Sequence, residues 1–239
     1  MGADRAHETD RPENPARVLI LTALPEELGA FIGRRLPPAV IAAATGDGPR
    51  KAARIAAVLC ARYRPALLIG VGVAGALTPD LTVGDLVVAY RVLDAAGETP
   101  PPHAVLVVRA AAKPGARQGT LLSVDRPVVT AAGKAAWAGK LGVGSAAVDM
   151  ESAAWARAAA AHDIPCLIIR AVSDTSAEEL PGYLTECMDE DGGMRRSAVA
   201  MRALAHPGSI PALLRMRRRV ADCSQRLAAF VEQFVWEGP

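Results

Sequence analysis

The chain of 239 residues is long enough to bury one full α/β core and short for two, and 51% hydrophobic with 22% charged residues is the balance of a folded soluble protein. A net charge of +2 gives no electrostatic case for nucleic acid as a partner. No apolar run reaches the roughly 18 residues of a membrane span, the four cysteines form no CxxC pair, and the four histidines (His7, His103, His162, His206) lack metal-like spacing.

Residues 1–15 are polar and are expected to form a disordered tail, with one domain over 16–239. Residues 17–23 have strand character and end in Leu24-Pro25-Glu26-Glu27, where proline and first-turn acids announce a helix expected to reach about Arg35. Residues 39–44 read as a strand. A helix over about 50–63 follows, with 55, 58 and 59 on its buried face. Residues 66–69 form a strand that enters a Gly-rich loop at 70–75. Further strands are expected at 85–90, 105–108 and 119–124, and a helix at 130–140. Residues 146–151, 152–162 and 164–174 read as strand, helix and strand, which delivers Glu151 and Asp174 to one sheet edge from neighbouring parallel strands. Residues 175–193 read as a loop or lid, 194–205 as a helix, and 210–236 as a long last helix. Alternating strands and helices predict an α/β three-layer sandwich around a mixed, mainly parallel sheet. Cys60 and Cys166 lie in apolar runs, as expected of reduced, buried thiols in a cytoplasmic protein.

Gly70-x-Gly72-x-x-Gly75 after a strand matches the spacing of a dinucleotide fingerprint, but that fingerprint needs a helix to open at once. Pro79 and Gly84 interrupt the next residues and a strand follows, so no helix fits. The glycines serve either a close backbone approach to a small ligand or a tight turn. The acids likewise have two readings. Glu27 and Glu151 could favour helix N-termini, and Asp174 could cap a turn.

Four segments in order carry a resemblance. They are Leu24-Pro25-Glu26-Glu27, Gly72-Val73-Ala74-Gly75 with Leu81-Thr82-Val83-Gly84-Asp85, Val148-Asp149-Met150-Glu151-Ser152, and Arg170-Ala171-Val172-Ser173-Asp174. Together they resemble the nucleoside phosphorylase/nucleosidase superfamily, and the first resembles its 5′-methylthioadenosine/S-adenosylhomocysteine nucleosidase branch. The resemblance implies cleavage of a purine N-glycosidic bond without metal or organic cofactor, on a small-molecule nucleoside, in a homo-oligomer such as a dimer. It implies that Asp174 protonates N7 of the base, oriented by Ser173. Glu151 would hold the ribose hydroxyls with Met150 packed on the sugar, and Glu27 would activate water. Residues 72–75 would line the ligand, the base would lie along residues 123–128, including Val128, and Arg170 would pair with Glu151 or Asp149.

Phosphorylases of this superfamily place an Arg and a Ser around the Gly-rich motif, where this chain has Gly70 and Val73. Water is therefore the expected nucleophile, with phosphate the alternative through Gly46-Asp47-Gly48-Pro49-Arg50. A catalytically silent binding relative is the second alternative. Leu180-Pro181-Gly182-Tyr183, Asp191-Gly192 and Leu213–Arg219 resemble hopanoid-associated members, which implies adenine release from adenosylhopane. Arg215, Arg217, Arg218 and Arg219 beside Leu213, Leu214 and Met216 could then touch an anionic membrane surface, or form a solvated face of a packing helix.

Overall fold

The computed structural model describes residues 17–238, so the tail expected at 1–15 lies outside the described residues. Among the described residues, eight strands form one mixed sheet: β1 Val18–Thr22, β2 Val40–Ala44, β3 Leu67–Ala76, β4 Leu86–Asp94, β5 Gly97–Glu98, β6 Ala116–Ser123, β7 Ala146–Asp149 and β8 Cys166–Asp174. Seven α-helices accompany them: α1 Pro25–Gly29, α2 Pro49–Tyr63, α3 Ala104–Ala111, α4 Ala131–Leu141, α5 Ser152–Ala160, α6 Arg196–Ala205 and α7 Ile210–Trp236.

Strand β3 is the centre of the sheet. It runs parallel to β1 along its first half and parallel to β8 along most of its length. At Gly75 and Ala76 it pairs antiparallel with β7. Strand β8 continues antiparallel to β4, β4 parallel to β6, and β6 parallel to β7. The path β3-β8-β4-β6-β7 therefore returns to β3, and the sheet curls into a closed circuit with β1 and β2 as an open wing. Strands β7 and β8 are not neighbours and run in opposite senses. Glu151 and Asp174 converge because β7 descends against β3, not because two parallel strands end at one edge.

Each face of the sheet carries a helical layer. On one side Leu19, Leu21 and Leu68 pack with Ala52, Ala56 and Cys60 of α2 and Trp155, Ala156 and Ala159 of α5. On the other, Ile20, Ile69 and Ile169 meet Leu106 and Val107 of α3 and Leu227, Val231 and Phe234 of α7. A smaller cluster joins Trp137 and Leu141 of α4 to Leu122 and Val148. All four cysteines are buried and unpaired.

Four sequence expectations change here. Helix α1 ends at Gly29 rather than near Arg35. Gly33 takes φ +81, and Arg34 is drawn into hydrogen bonds with Glu232 and Gln225 of α7. Residues 105–108 belong to α3, not to a strand: the β-branched run looked extended, yet Leu106, Val107 and Ala110 take the buried face at helical spacing while Val105 and Val108 are exposed. Helix α2 fully buries Ala52, Ala56 and Cys60, while of the expected 55, 58 and 59 Leu59 packs partly buried against the same core and Val58 is exposed. Small side chains let α2 lie close to the alanines of α5, so size decides the face. The Gly-rich segment is strand throughout, with no loop at 70–75.

Those glycines are explained by close approach. A Cβ at Gly70 would stand 2.6 Å from the Trp155 ring and 2.6 Å from Ile168 Cδ1. Gly70→Ala is expected to destabilise the fold by about 1–3 kcal/mol through overpacking, or roughly 2–4 °C in Tm for each kcal/mol. Gly139→Ala, on α4 where a Cβ meets nothing within 4 Å, is expected to be neutral or stabilising by up to about 1 kcal/mol. Thermal unfolding of both variants checks the contrast, and equal effects would refute it.

Candidate active site

A cavity of about 290 Å³ opens where β3, β7 and β8 meet the 175–194 segment. Its wall includes Glu27, Val73, Ala74, Gly75, Val128, Met150, Glu151, Arg170, Ser173 and Asp174. Ten of the eleven residues singled out from sequence thus meet at one place. The exception is Gly72, which is behind the wall. A Cβ there would be 2.1 Å from Arg170 Nη1 and 3.0 Å from Glu27 Oε1, so Gly72 makes room for the guanidinium rather than for a ligand.

Arg170 organises the floor of the site. Its guanidinium carbon lies 4.6 Å from the centre of the Trp155 ring, within cation–π range. Nε reaches Asp149 Oδ2 at 2.6 Å and Ser152 Oγ at 3.0 Å, and Nη2 reaches Glu151 Oε2 at 3.5 Å. Both pairings expected of Arg170 are formed, and both are buried. Asp149 is further held by Ser123 Oγ at 2.6 Å and by the Ser152 hydroxyl. The end of β7 and the start of α5 are fastened to β8 by this group.

Glu27 is buried although it belongs to a five-residue helix. Its Oε2 accepts the Ala23 and Leu24 N–H groups at 2.9 Å each, and Oε1 accepts Val73 N–H of β3 at 3.1 Å. The first two bonds cap the helix start, and the third ties the carboxylate to the glycine-bearing strand. Burial pushes its pKa above the ordinary carboxyl value, opposed by the nearby Arg170 charge and the backbone donors. A raised value suits a base that takes a proton from water.

Glu151 is the residue before α5, but its carboxylate does not cap that helix. Oε1 accepts Gly48 N–H at 2.9 Å, at the amino end of α2. Burial raises its pKa to about 7, Arg170 opposes the rise, and the neighbouring Asp149 and Glu27 carboxylates add to it. Asp174 does not cap a turn. Its Oδ1 accepts the Ser173 hydroxyl at 2.7 Å and its Oδ2 faces Lys134 Nζ at 2.5 Å. Gly75 allows this placement, since a Cβ there would lie 2.8 Å from Oδ2.

Sequence reasoning missed Lys134, which is fully buried. One signal was available: Lys134, Trp137, Ala138 and Leu141 share the spacing of one helical face, and the other three pack inward. The cavity also has an apolar end, as the scarce aromatics and the 175–193 segment hinted. Leu180, Met188, Met194, Met216 and Val220 form it, and Met188 and Met194 pair as an isolated bridge. Helix α7 contributes to this wall, so Met216 faces the cavity and Leu213 packs on the cluster of Tyr183 and Leu184. Arg219 is occupied by both carboxylate oxygens of Glu178, at 2.8 and 2.6 Å, which leaves Arg215, Arg217 and Arg218 on the exposed side with Leu214. Among the described residues no group of three or more His, Cys, Asp or Glu could hold a metal ion, and no helix is long and apolar enough to cross a membrane.

The phosphate route through residues 46–50 has two of its donors engaged. Gly48 N–H binds Glu151, and the Arg50 guanidinium donates to the Glu190 carbonyl at 2.8 Å on an exposed surface. Among the described residues, Arg170 is the one cation on the cavity wall.

Comparison with known proteins bears on family and fold. The futalosine hydrolase of Streptomyces coelicolor is 38% identical over 163 residues, 59% of this chain and 69% of that protein. The fold is shared with Helicobacter pylori 5′-methylthioadenosine/S-adenosyl homocysteine nucleosidase holding 5′-methylthioadenosine, at TM-score 0.71 and 17% identity over 93% of this chain and 99% of that one. The S-adenosylhomocysteine nucleosidase of Streptococcus pyogenes is similar at TM-score 0.70 and 20% identity, over 94% of this chain and 98% of that one. A family profile described as the Phosphorylase superfamily matches residues 35–205, a span that contains Glu151, Arg170 and Asp174 and begins after Glu27. The chain belongs to the phosphorylase superfamily.

Proposed function

We propose that this chain is a nucleosidase that hydrolyses the N-glycosidic bond of a 5′-substituted purine nucleoside, adenosylhopane being the finer candidate. The observation that carries the reading is Glu27: a buried carboxylate on the cavity wall, held by Val73 N–H, where a phosphorylase needs positive charge for its phosphate. The base lies against Val124, Pro127 and Val128 with its N7 edge toward Asp174, and Glu151 receives the ribose hydroxyls above Met150. As the C1′–N9 bond lengthens, positive charge grows on the ribose, and the bond's electron pair moves into the purine. Glu27 takes a proton from the attacking water, and protonation of N7 at Asp174 makes the base a neutral leaving group.

The apolar wall of Leu180, Met188, Met194, Met216 and Val220 is the side on which a 5′ group would leave the ribose. It suits a hydrocarbon substituent, which supports the hopanoid candidate. The similarity to a futalosine hydrolase makes futalosine the competing substrate. Peripheral membrane contact then rests on Arg215, Arg217, Arg218 and Leu214, and homodimer formation belongs to the same proposal.

Base release from futalosine, 5′-methylthioadenosine and adenosylhopane, each with and without phosphate, tests the reading. Release is expected without phosphate, and Glu27→Gln and Asp174→Asn are each expected to reduce it by about 10²–10⁴-fold. Phosphate-dependent release that survives Glu27→Gln would establish the phosphorylase instead.

The value of about 7 for Glu151 makes activity and stability move in opposite directions with pH. The ionised form is the stronger acceptor for the two ribose hydroxyls, so kcat/KM is expected to rise as pH increases through about 7. Folding favours the protonated form, because the folded value lies above the ordinary 4.5. That contribution is whole below about 4.5 and is lost as pH rises through about 7. The thermal midpoint is therefore expected to fall over the range in which activity grows, with Glu151→Gln flattening the trend. A midpoint that climbs with pH and is unaffected by Glu151→Gln would contradict the assignment.

A further inference from the structure

Lys134 is a charged group with no water contact and no place on the cavity wall. Its Nζ meets three acceptors: Asp174 Oδ2 at 2.5 Å, the Thr175 carbonyl at 2.7 Å and the Glu178 carbonyl at 2.9 Å. Three acceptors use the three N–H donors of an ammonium, whereas a neutral amine has two. A buried ion pair is a poor source of stability, since a well-packed apolar side chain of similar volume often serves as well or better. Stability alone does not account for a lysine at this position.

We propose that Lys134 is the positioning residue that sets base specificity, by presenting Asp174 to the purine as a hydrogen-bond acceptor. This rests on the reading above, in which the base lies against Asp174. The ammonium takes the negative charge of Oδ2, and Ser173 donates to Oδ1. A resting carboxylate held in this way accepts, and it donates only after taking a proton from solvent, which it passes to N7. The C6–N7 edges of the two common purine types differ in this respect. A 6-aminopurine offers an N–H₂ donor beside N7, and a 6-oxopurine offers a second acceptor. Asp174 therefore bonds a 6-amino group directly and also receives N7–H once that nitrogen is protonated. Against a 6-oxo group the two oxygens oppose each other. The other lining at this end, Val124, Pro127 and Val128, gives no side-chain donor to compensate. Lys134 also ties the carbonyls that follow Asp174, so the carboxylate and its loop keep one orientation.

The test compares free adenine with hypoxanthine as ligands by calorimetry, and 5′-methylthioadenosine with 5′-methylthioinosine as substrates, in the wild type, Lys134→Met and Lys134→Arg. The wild type is expected to favour the 6-amino compounds by about 10–150-fold, the range for a hydrogen bond to a charged group. Lys134→Met is expected to reduce that ratio at least about tenfold, and Lys134→Arg, which keeps the cation, to retain more of it. If Lys134→Met does not fold, Lys134→Gln gives the same readout. A uniform fall for both bases, with the ratio unchanged, would make Lys134 structural and overturn the proposal while leaving the nucleosidase reading intact. Selective adenine binding that collapses in Lys134→Met, without turnover of any nucleoside, would support the proposal and refute hydrolysis. A wild type that binds neither base and cleaves neither nucleoside would overturn both.

Discussion

The structure depends on one buried guanidinium. Arg170 enters from β8, lies on Trp155 and passes the bare Cα of Gly72, and joins Asp149 and Glu151 to the strand that ends in Asp174. Removing the guanidinium would leave Asp149 and Glu151 as buried carboxylates without their counter-charge, a change that typically costs about 3–5 kcal/mol. Its surroundings follow from it. Gly70 admits the Trp155 ring, Gly72 admits the guanidinium, and Ser152 and Ser123 complete the bonds of Asp149. A fingerprint of glycines that looks like a phosphate cradle is instead a strand stripped of side chains so that another strand's arginine can cross it.

This also explains why strand topology and site chemistry cannot be separated here. The turn of β3 onto β7 at Gly75 and Ala76 is where the sheet closes on itself. The same residues allow Asp174 to approach, and the descent of β7 against β3 brings Glu151 to the level of Arg170. Glu27 arrives by a third route, from a short helix held by its own carboxylate and fastened to Val73. Three acids from distant positions reach one cavity because each is bonded to the backbone or charge of a central strand.

Much of this was legible in the sequence, for identifiable reasons. The acids were visible because each stands where a strand gives way to a helix or loop, and the order of strands and helices gave the layers. The sequence misled where side-chain size and propensity disagreed with packing. Val105 and Val108 looked like strand residues but face solvent on α3, and Val58 looked like core while alanines took that place. The glycines of β3 suggested a turn because their partners, Trp155, Arg170 and Asp174, lie about 100 residues away. Lys134 was hidden for the same reason: its acceptor is 40 residues distant, and only its position on the inward face of α4 hinted at burial.

The charge balance bears most directly on the nucleophile. Five carboxylates (Glu27, Asp47, Asp149, Glu151, Asp174) surround the cavity or its floor, and two buried cations, Arg170 and Lys134, answer three of them. Both cations already have carboxylate partners, and the amino end of α2 has given a donor to Glu151. A phosphate dianion would add negative charge to a site that pushes Glu27 and Glu151 toward their neutral forms. At an effective dielectric of about 20, a like-charge pair 4 Å apart costs about 4 kcal/mol. Water carries no such penalty, and Glu27, the proposed base, has its proton affinity raised by burial. Any carboxylate that stays ionised here would face the ribose as it becomes cationic in the proposed hydrolysis, whereas a phosphate would meet it as a like charge.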